Sequence, residues 1–172
     1  MTSKSEVASV TRRSRPGGRS SEILGRVYSS TLEILSEKGL PGVSFNDVAL
    51  AADVNRSTLY RRWADRNELV LDAIMASVQE QILPSRNGGI ERELSSVLRQ
   101  IGDYLSSPLG RAVLVASVEL INSDTATGQR QISLWRERLK QFDPIFERAR
   151  ERGEVAEDFD WESAFAMAAG AV

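Results

Sequence analysis

Two short helical patterns joined by a tight turn, in the stretch SFNDVALAADVNRSTLYRRWADR over Ser44–Arg66, constrain this chain more than any other feature. In the first, Phe45, Val48, Ala49 and Ala52 fall at i, i+3, i+4 and i+7, which is one face of a helix. Ser44 stands at the N-cap with Asp47 three residues on, close to a capping box but with the shorter Asp in place of Glu. Asp53-Val54-Asn55 then interrupts the pattern, with Val54 as an apolar plug and Asn55 able to cap a second helix. The second pattern covers about Arg56–Trp63. At roughly 100° per residue, Leu59 and Trp63 lie side by side on an inner face. Ser57 and Arg61 point outward, and Thr58 and Tyr60 occupy opposite flanks. One face is core, and the other carries guanidinium groups, hydroxyls and a phenol.

Short polar side chains and Arg are what base edges in a major groove, and the phosphates beside them, require. Two helices so arranged read as a helix-turn-helix with the second as reader. The residues VSFNDVALAADVNRSTLYRRWADRNEL resemble the DNA-binding domain of the TetR (tetracycline-repressor-like) family of bacterial transcription regulators. The strongest part is Thr58-Leu59-Tyr60, then an aromatic at Trp63, a basic residue at Arg66, and Leu69. The match runs from about Ser21 to Leu71. Asp53 stands where a turn Gly is common, and Arg66 replaces a common Lys. Asp tolerates left-handed backbone better than most residues, and Arg still binds phosphate.

The resemblance implies that Tyr60 and Thr58 contact phosphate and that Arg56 and Ser57 reach base edges. On the wheel, Arg61 points straight out toward DNA with Arg62 beside it. Arg66 can pair with phosphate at the start of the next helix, and Asn46 projects outward from the first. Ser44 is a cap or a contact. The flatter readings are a half-buried aromatic at Tyr60, helix capping at Thr58 and a solvated face for the arginines.

The net charge of −2 hides an asymmetry. Residues 1–66 hold 11 Lys/Arg against 7 Asp/Glu, a net +4, whereas residues 67–172 hold 11 against 17, a net −6. A basic first third on an acidic remainder suits a module whose one end meets a polyanion. Zero Cys excludes disulfides and thiol chemistry, and zero Cys with zero His removes the usual zinc ligands and most general acid–base designs. No cofactor or metal is expected. No apolar run reaches the roughly 18 residues of a membrane span, and the polar N-terminus lacks the apolar core of a signal peptide. By the resemblance, the expected address is the bacterial cytoplasm, in association with the nucleoid.

Residues 1–19 read as a disordered basic arm, with Arg12, Arg13, Arg15 and Arg19. Such arms often lie along phosphates or enter a minor groove, and a plain solvated tail fits the same residues. A first helix over Ser21–Lys38 has Leu24, Val27, Tyr28, Thr31, Leu32 and Leu35 as its stripe, Gly39 as left-handed cap and Pro41 as stop. A fourth runs from Asp65 or Arg66 to about Leu83, through Leu69, Ala73, Val78 and Ile82. By the resemblance, tilting it changes the distance between two readers in a dimer. Pro84–Gly89 is a loop. Leu94, Val97, Leu98, Ile101 and Leu105 mark a fifth helix over Ile90–Ser106. A sixth, about Leu109–Asn122, runs through Val113, Leu114, Val118 and Ile121. Residues 123–128, SDTATG, read as a loop. The seventh, about Gln129–Arg152, carries Ile132, Trp135, Leu139, Phe142, Phe146 and Ala149. Pro144 inside it denies the Lys140 carbonyl a donor and should kink or split it. Gly153 ends it, and Asp160 caps a last Ala-rich helix from Trp161.

The expected fold is therefore all-α. A three-helix DNA-binding unit occupies residues 20–66, and a helical regulatory and dimerisation unit occupies 67–172, with a linker helix at about 66–83. The C-terminal half resembles the family only loosely, through Arg148-Ala149, Arg152-Gly153-Glu154 and the helix after them. Family members usually continue into two long helices that form a four-helix dimer interface. Here the helical pattern still runs at Val172 without a terminator, so the chain is cut short or its interface is abbreviated. Tyr104, Val118, Trp135, Phe142 and Phe146 are candidates for lining a small-molecule pocket between the later helices, although such a stripe also suits plain core.

The resulting reading is a sequence-specific, homodimeric repressor, released from a near-palindromic DNA duplex by a small-molecule effector. The alternative is a helical module using the same basic face for a protein partner. An enzyme would need paired carboxylates in a cleft, and Glu157, Asp158 and Asp160 read instead as helix-end charges.

Overall fold

A computed structural model describes residues 18–83, 88–123 and 125–164. Its principal α-helices are α1 (Gly18–Lys38), α2 (Phe45–Ala51), α3 (Arg56–Tyr60), α4 (Arg66–Gln81), α5 (Ile90–Ser106), α6 (Pro108–Ser123), α7 (Thr125–Leu139) and α8 (Asp143–Glu151). Single 3-10 turns precede α2 and α8, and no strand occurs among the described residues. The arm expected over residues 1–19 lies outside them, except that the α1 backbone already begins at Gly18. Most of the expected 84–89 loop and of the last Ala-rich helix also lies outside, although residues 161–164 are helical behind Asp160, whose carboxylate accepts the Ser163 N–H.

The first three helices close as the residues dictate. Val27, Thr31 and Leu35 turn inward from α1, and Phe45, Val48, Ala49 and Ala52 from α2. Gly39 ends α1 at φ +68°. Asp53 is the non-glycine residue with positive φ among those described, at +52°, where the turn between α2 and α3 needs left-handed backbone. Leu59 and Trp63 are buried beneath α3. Helix α3 is shorter than expected, giving way to a turn after Tyr60.

Helix α1 packs on α4 and also on α6, so one apolar cluster runs from Val27 through Leu71 and Leu120 to Trp161. Helices α5 and α6 meet at 88°. Gly110 permits that corner, because a Cβ there would stand 1.9 Å from the Tyr104 carbonyl oxygen. No single described helix is long and apolar enough to cross a membrane. Pro144 splits the long seventh pattern as expected: α7 ends at Leu139, Lys140–Phe142 tightens to a 3-10 turn, and α8 starts anew with Pro144 in its first turn. Gly153 closes α8 at φ +69°, with Glu154 N–H reaching the Ala149 carbonyl.

Three expectations fail. The loop over 123–128 is helical on both sides of residue 124, since α6 extends to Ser123 and α7 starts at Thr125. Gly128 serves there as a close-packing residue rather than a turn, because a Cβ on it would lie 2.9 Å from the Ile121 carbonyl oxygen. Leu98, Leu114, Val118, Ile121 and Ile132, placed in inner stripes, are 43–55% exposed. Helix α6 is apolar on two sides; Val113, Ala116 and Leu120 face the core, and Leu114, Val118 and Ile121 border an open cavity. Phe146 packs with Phe159 and Trp161 and borders a groove other than the cavity lined by the remaining pocket candidates.

Gly110→Ala should lower the unfolding free energy by about 2–3 kcal/mol through backbone displacement, read from urea denaturation. Asp53→Gly should raise it by about 0.5 kcal/mol, since Gly adopts the left-handed turn without the Cβ penalty. That variant also removes the ion pair with Arg26, but at 3.7 Å between exposed side chains the pair adds little.

Candidate nucleic-acid interface and the cavity behind it

Helix α3 is held at its N-terminal end and from below. Asn55 accepts the Ser57 N–H at 2.9 Å, satisfying an end the helix cannot satisfy itself. Leu59, fully buried, anchors the middle. Outward, Tyr60 is 56% exposed and stands edge-on to Phe45, with centroids 4.8 Å apart. The Arg56 guanidinium lies 5.9 Å from the Tyr60 ring, so Phe45, Tyr60 and Arg56 support one another in series. The Arg62 guanidinium lies 5.4 Å from the Trp63 ring, and Arg61 and Ser57 are exposed. Thr58 is half-buried and Asn46 exposed.

Two of the expected contacts already have other work. Ser44 caps α2: its hydroxyl accepts the Asp47 N–H at 3.2 Å and donates to the Asp47 carboxylate at 2.5 Å. Asp47 thus returns to the hydroxyl rather than to a backbone N–H, being one methylene short of a full capping box. Arg66 Nη1 donates to the Pro41 and Val43 carbonyls at 3.2 and 3.4 Å, tying α4 to the segment before α2. Among the described residues, no carboxylate lies within salt-bridge distance of Arg56, Arg61, Arg62 or Arg66. Four cations at one end of the molecule, unneutralised by the protein, make a surface suited to a polyanion.

Behind this surface runs a polar chain that sequence reasoning missed. Trp63 Nε1–H donates to Asp72 Oδ2 at 2.9 Å. The other Asp72 oxygen accepts from Arg130 of α7 at 3.2 Å, and Arg130 also reaches Glu68 at 2.8 Å. Glu68 in turn accepts the Ala64 N–H at 2.8 Å. Burial and then the Asp72 charge push the neighbouring Tyr28 phenol above its ordinary range. Two turns further along α7, Arg138 Nη2 donates to the Val78 and Ile82 carbonyls at 3.0 and 2.6 Å, a cation on the C-terminal end of α4. Burial lowers the Arg138 pKa. Helix α7 therefore grips α4 at both ends. The sequence signal was the presence of Arg130 and Arg138 eight residues apart, but a spacing does not name partners some 60 residues away.

Between α4, α5, α6 and α7 lies a cavity of about 440 Å³. Tyr104, Val118, Trp135 and Phe142, four of the five expected pocket residues, line it. Phe146 does not: it stacks on Trp161 at 4.7 Å and borders a separate groove with Phe159. The reason is the break ahead of Pro144, where the 3-10 turn Lys140–Phe142 interrupts the helical phase and takes Phe146 out of the Trp135 stripe. Gln131, Gln141, Ser117 and Arg138 are the polar wall residues that the apolar stripe could not reveal. Tyr104 hydrogen-bonds Ser77 at 3.1 Å, and burial raises its pKa against the smaller effect of that bond.

Comparisons with known proteins agree with this arrangement. The sequence model for bacterial regulatory proteins of the tetR family matches residues 27–73, and that for the tetracyclin repressor-like C-terminal domain matches residues 84–172. The chain is 31% identical over 135 residues to the HTH-type transcriptional regulator AqdR of Rhodococcus erythropolis, covering 78% of this chain and 65% of that protein. It is 30% identical over 135 residues to the DNA-binding transcriptional repressor TetR of Mycobacteroides abscessus, covering 75% and 68%. The chain thus spans about two thirds of the length of the curated relatives it matches. Among solved structures, Salmonella enterica GusR superposes with a TM-score of 0.65 at 21% identity, covering 84% of this chain and 77% of that one. The fatty acid degradation regulator FadR from Bacillus halodurans gives 0.63 at 15%, covering 93% and 82%. These two likenesses concern the fold. With family models matched on both halves and regulators at 30–31% identity, the chain belongs to the TetR family of bacterial transcription regulators.

Proposed function

We propose that this chain is a sequence-specific DNA-binding repressor that acts as a homodimer and is released from its operator by a small molecule. The observation that carries the DNA reading is the unneutralised cationic end of the molecule around α3. Residues 20–66 form the reading unit, and residues 67–172 form the regulatory and dimerising one. Arg56 and Ser57 address base edges from the start of α3, with Arg61 on its outer face. Tyr60, Thr58, Arg62 and Asn46 position the helix on the duplex. Arg66 and Ser44 support the reader while already bonded within the protein. The repressor sign is supported by the name of the relative from Mycobacteroides abscessus, a DNA-binding transcriptional repressor.

Release works through α7. A molecule lodged in the cavity pushes on α7, and Arg130 passes that displacement to Glu68 and Asp72 on α4. Asp72 holds Trp63, so α4 and the end of the reader move together. In a dimer, a small tilt of each α4 changes the separation of the two readers, and a rigid duplex tolerates one separation.

Electrophoretic mobility shift with a duplex selected from a random library tests the first part. With about six to eight phosphate contacts, log affinity should fall against log salt with a slope near −6. Half-sites should lie about one helical turn apart. Arg56→Ala should cost about 1–3 kcal/mol and relax one base position, whereas Tyr60→Phe should weaken all sequences alike. Retention of full sequence preference by Arg56→Ala would remove its base-reading role. If the dimer showed no preference among duplexes at low salt, the protein-partner reading would replace this one.

The coupling has its own test, helped by the absence of native cysteine. A spin label on Ala51→Cys should report a wider distribution of distances between protomers when Arg130→Met is added. An unchanged distribution would sever α7 from the reader.

A further inference from the structure

The cavity between α4, α5, α6 and α7 encloses about 440 Å³ behind a surface that is almost wholly apolar. Aliphatic side chains from all four helices and the rings of Tyr104, Trp135 and Phe142 make that surface. Polar residues stand in the wall as well, but almost none of their polarity faces inward. The Gln131 amide atoms, Ser117 Oγ and Arg138 Nε are all buried. Arg138 Nη2 is bonded to the Val78 and Ile82 carbonyls, and the Tyr104 hydroxyl pairs with Ser77. None of the described lining residues is a carboxylate.

Small-molecule sites of about 300–1,000 Å³ ordinarily combine apolar walls with a few placed polar groups that fix orientation. This one has the volume and the walls and lacks the placed groups. A neutral amide moved inside would give up its water and gain no partner, and a carboxylate or ammonium would give up more. A hydrocarbon has no such loss. It gains dispersion contacts with the walls. It also takes apolar surface out of water at the mouth, where Leu114, Val118 and Ile121 of α6 are 46–55% exposed.

We propose that the cavity takes a hydrocarbon-like molecule, held by shape and apolar contact with no polar anchor. It therefore selects by size and rejects polar or charged analogues of the same outline. The inference names the ligand class of the effector site and rests on that reading.

Titration of the full chain by tryptophan fluorescence, using 2-ethylnaphthalene, 2-naphthamide and 2-naphthoate, tests this directly. The hydrocarbon should bind at least about tenfold more tightly than either analogue. It should also bind about fourfold more tightly than 2-methylnaphthalene, the effect of one further buried methylene. Gln131→Leu should leave all these affinities within about twofold, because the amide does not meet the guest. Val118→Asp, at a half-exposed position of the mouth where the carboxylate stays solvated, should weaken the hydrocarbon about fivefold or more while the thermal midpoint holds. Naphthamide or naphthoate binding as tightly as ethylnaphthalene would overturn the inference and leave the cavity as an effector site with a polar anchor. Loss of the preference in Gln131→Leu would overturn it in the same way. Hydrocarbon binding indifferent to Val118→Asp would place the guest elsewhere and sink the inference, as would failure of every probe to bind. Release of the selected duplex is scored separately: a hydrocarbon that binds as described but leaves the duplex in place would defeat the effector reading and keep the ligand class.

Discussion

The Asp72 carboxylate joins three parts of the molecule that nothing local would hold together. One oxygen takes the indole N–H of Trp63, just past α3, and the other takes Arg130 from α7. Asp72 itself sits in α4. Apolar packing alone lets helices slide, because it is non-directional. A carboxylate with two directed donors fixes register, and here it fixes the end of the α3 segment to α4 and α4 to α7. Glu68, one turn earlier, repeats the arrangement with Arg130 and the Ala64 N–H.

That connection ties a wall of the cavity to the base of the cationic surface. The surface alone is a few exposed arginines, and exposed arginines are common. What distinguishes it is support: Phe45 under Tyr60, Tyr60 beside Arg56, and Leu59 and Trp63 beneath. The cavity alone is an apolar gap. It becomes consequential because α7, which forms one wall, also holds both ends of α4 through Arg130 and Arg138.

Much of the candidate site was legible from residue types. The inner and outer faces of α3 followed from one wheel, because a five-residue helix between a cap and a buried aromatic has few ways to turn. Asp53 was legible as a left-handed residue, and its φ of +52° agrees. The pocket was partly legible. Tyr104, Val118, Trp135 and Phe142 share a stripe logic that the fold honours, but Phe146 lies past Pro144, and a wheel drawn through a break loses its phase. Leu114 and Ile121 looked like core because hydrophobicity states what wants covering, not whether anything covers it.

The sequence by itself determined the local structure: where helices start and stop, which face of each short helix is greasy, and where a proline must break one. These are interactions among residues three or four apart, and their range is the range of a periodic pattern. Only the tertiary structure decided that Arg130 meets Glu68 and Asp72, that Arg138 caps α4, and that Gln131 is left without a partner beside an apolar void. Those outcomes depend on directed bonds between helices distant along the chain. A hydrogen bond lost over an ångström of displacement cannot be read from spacing alone.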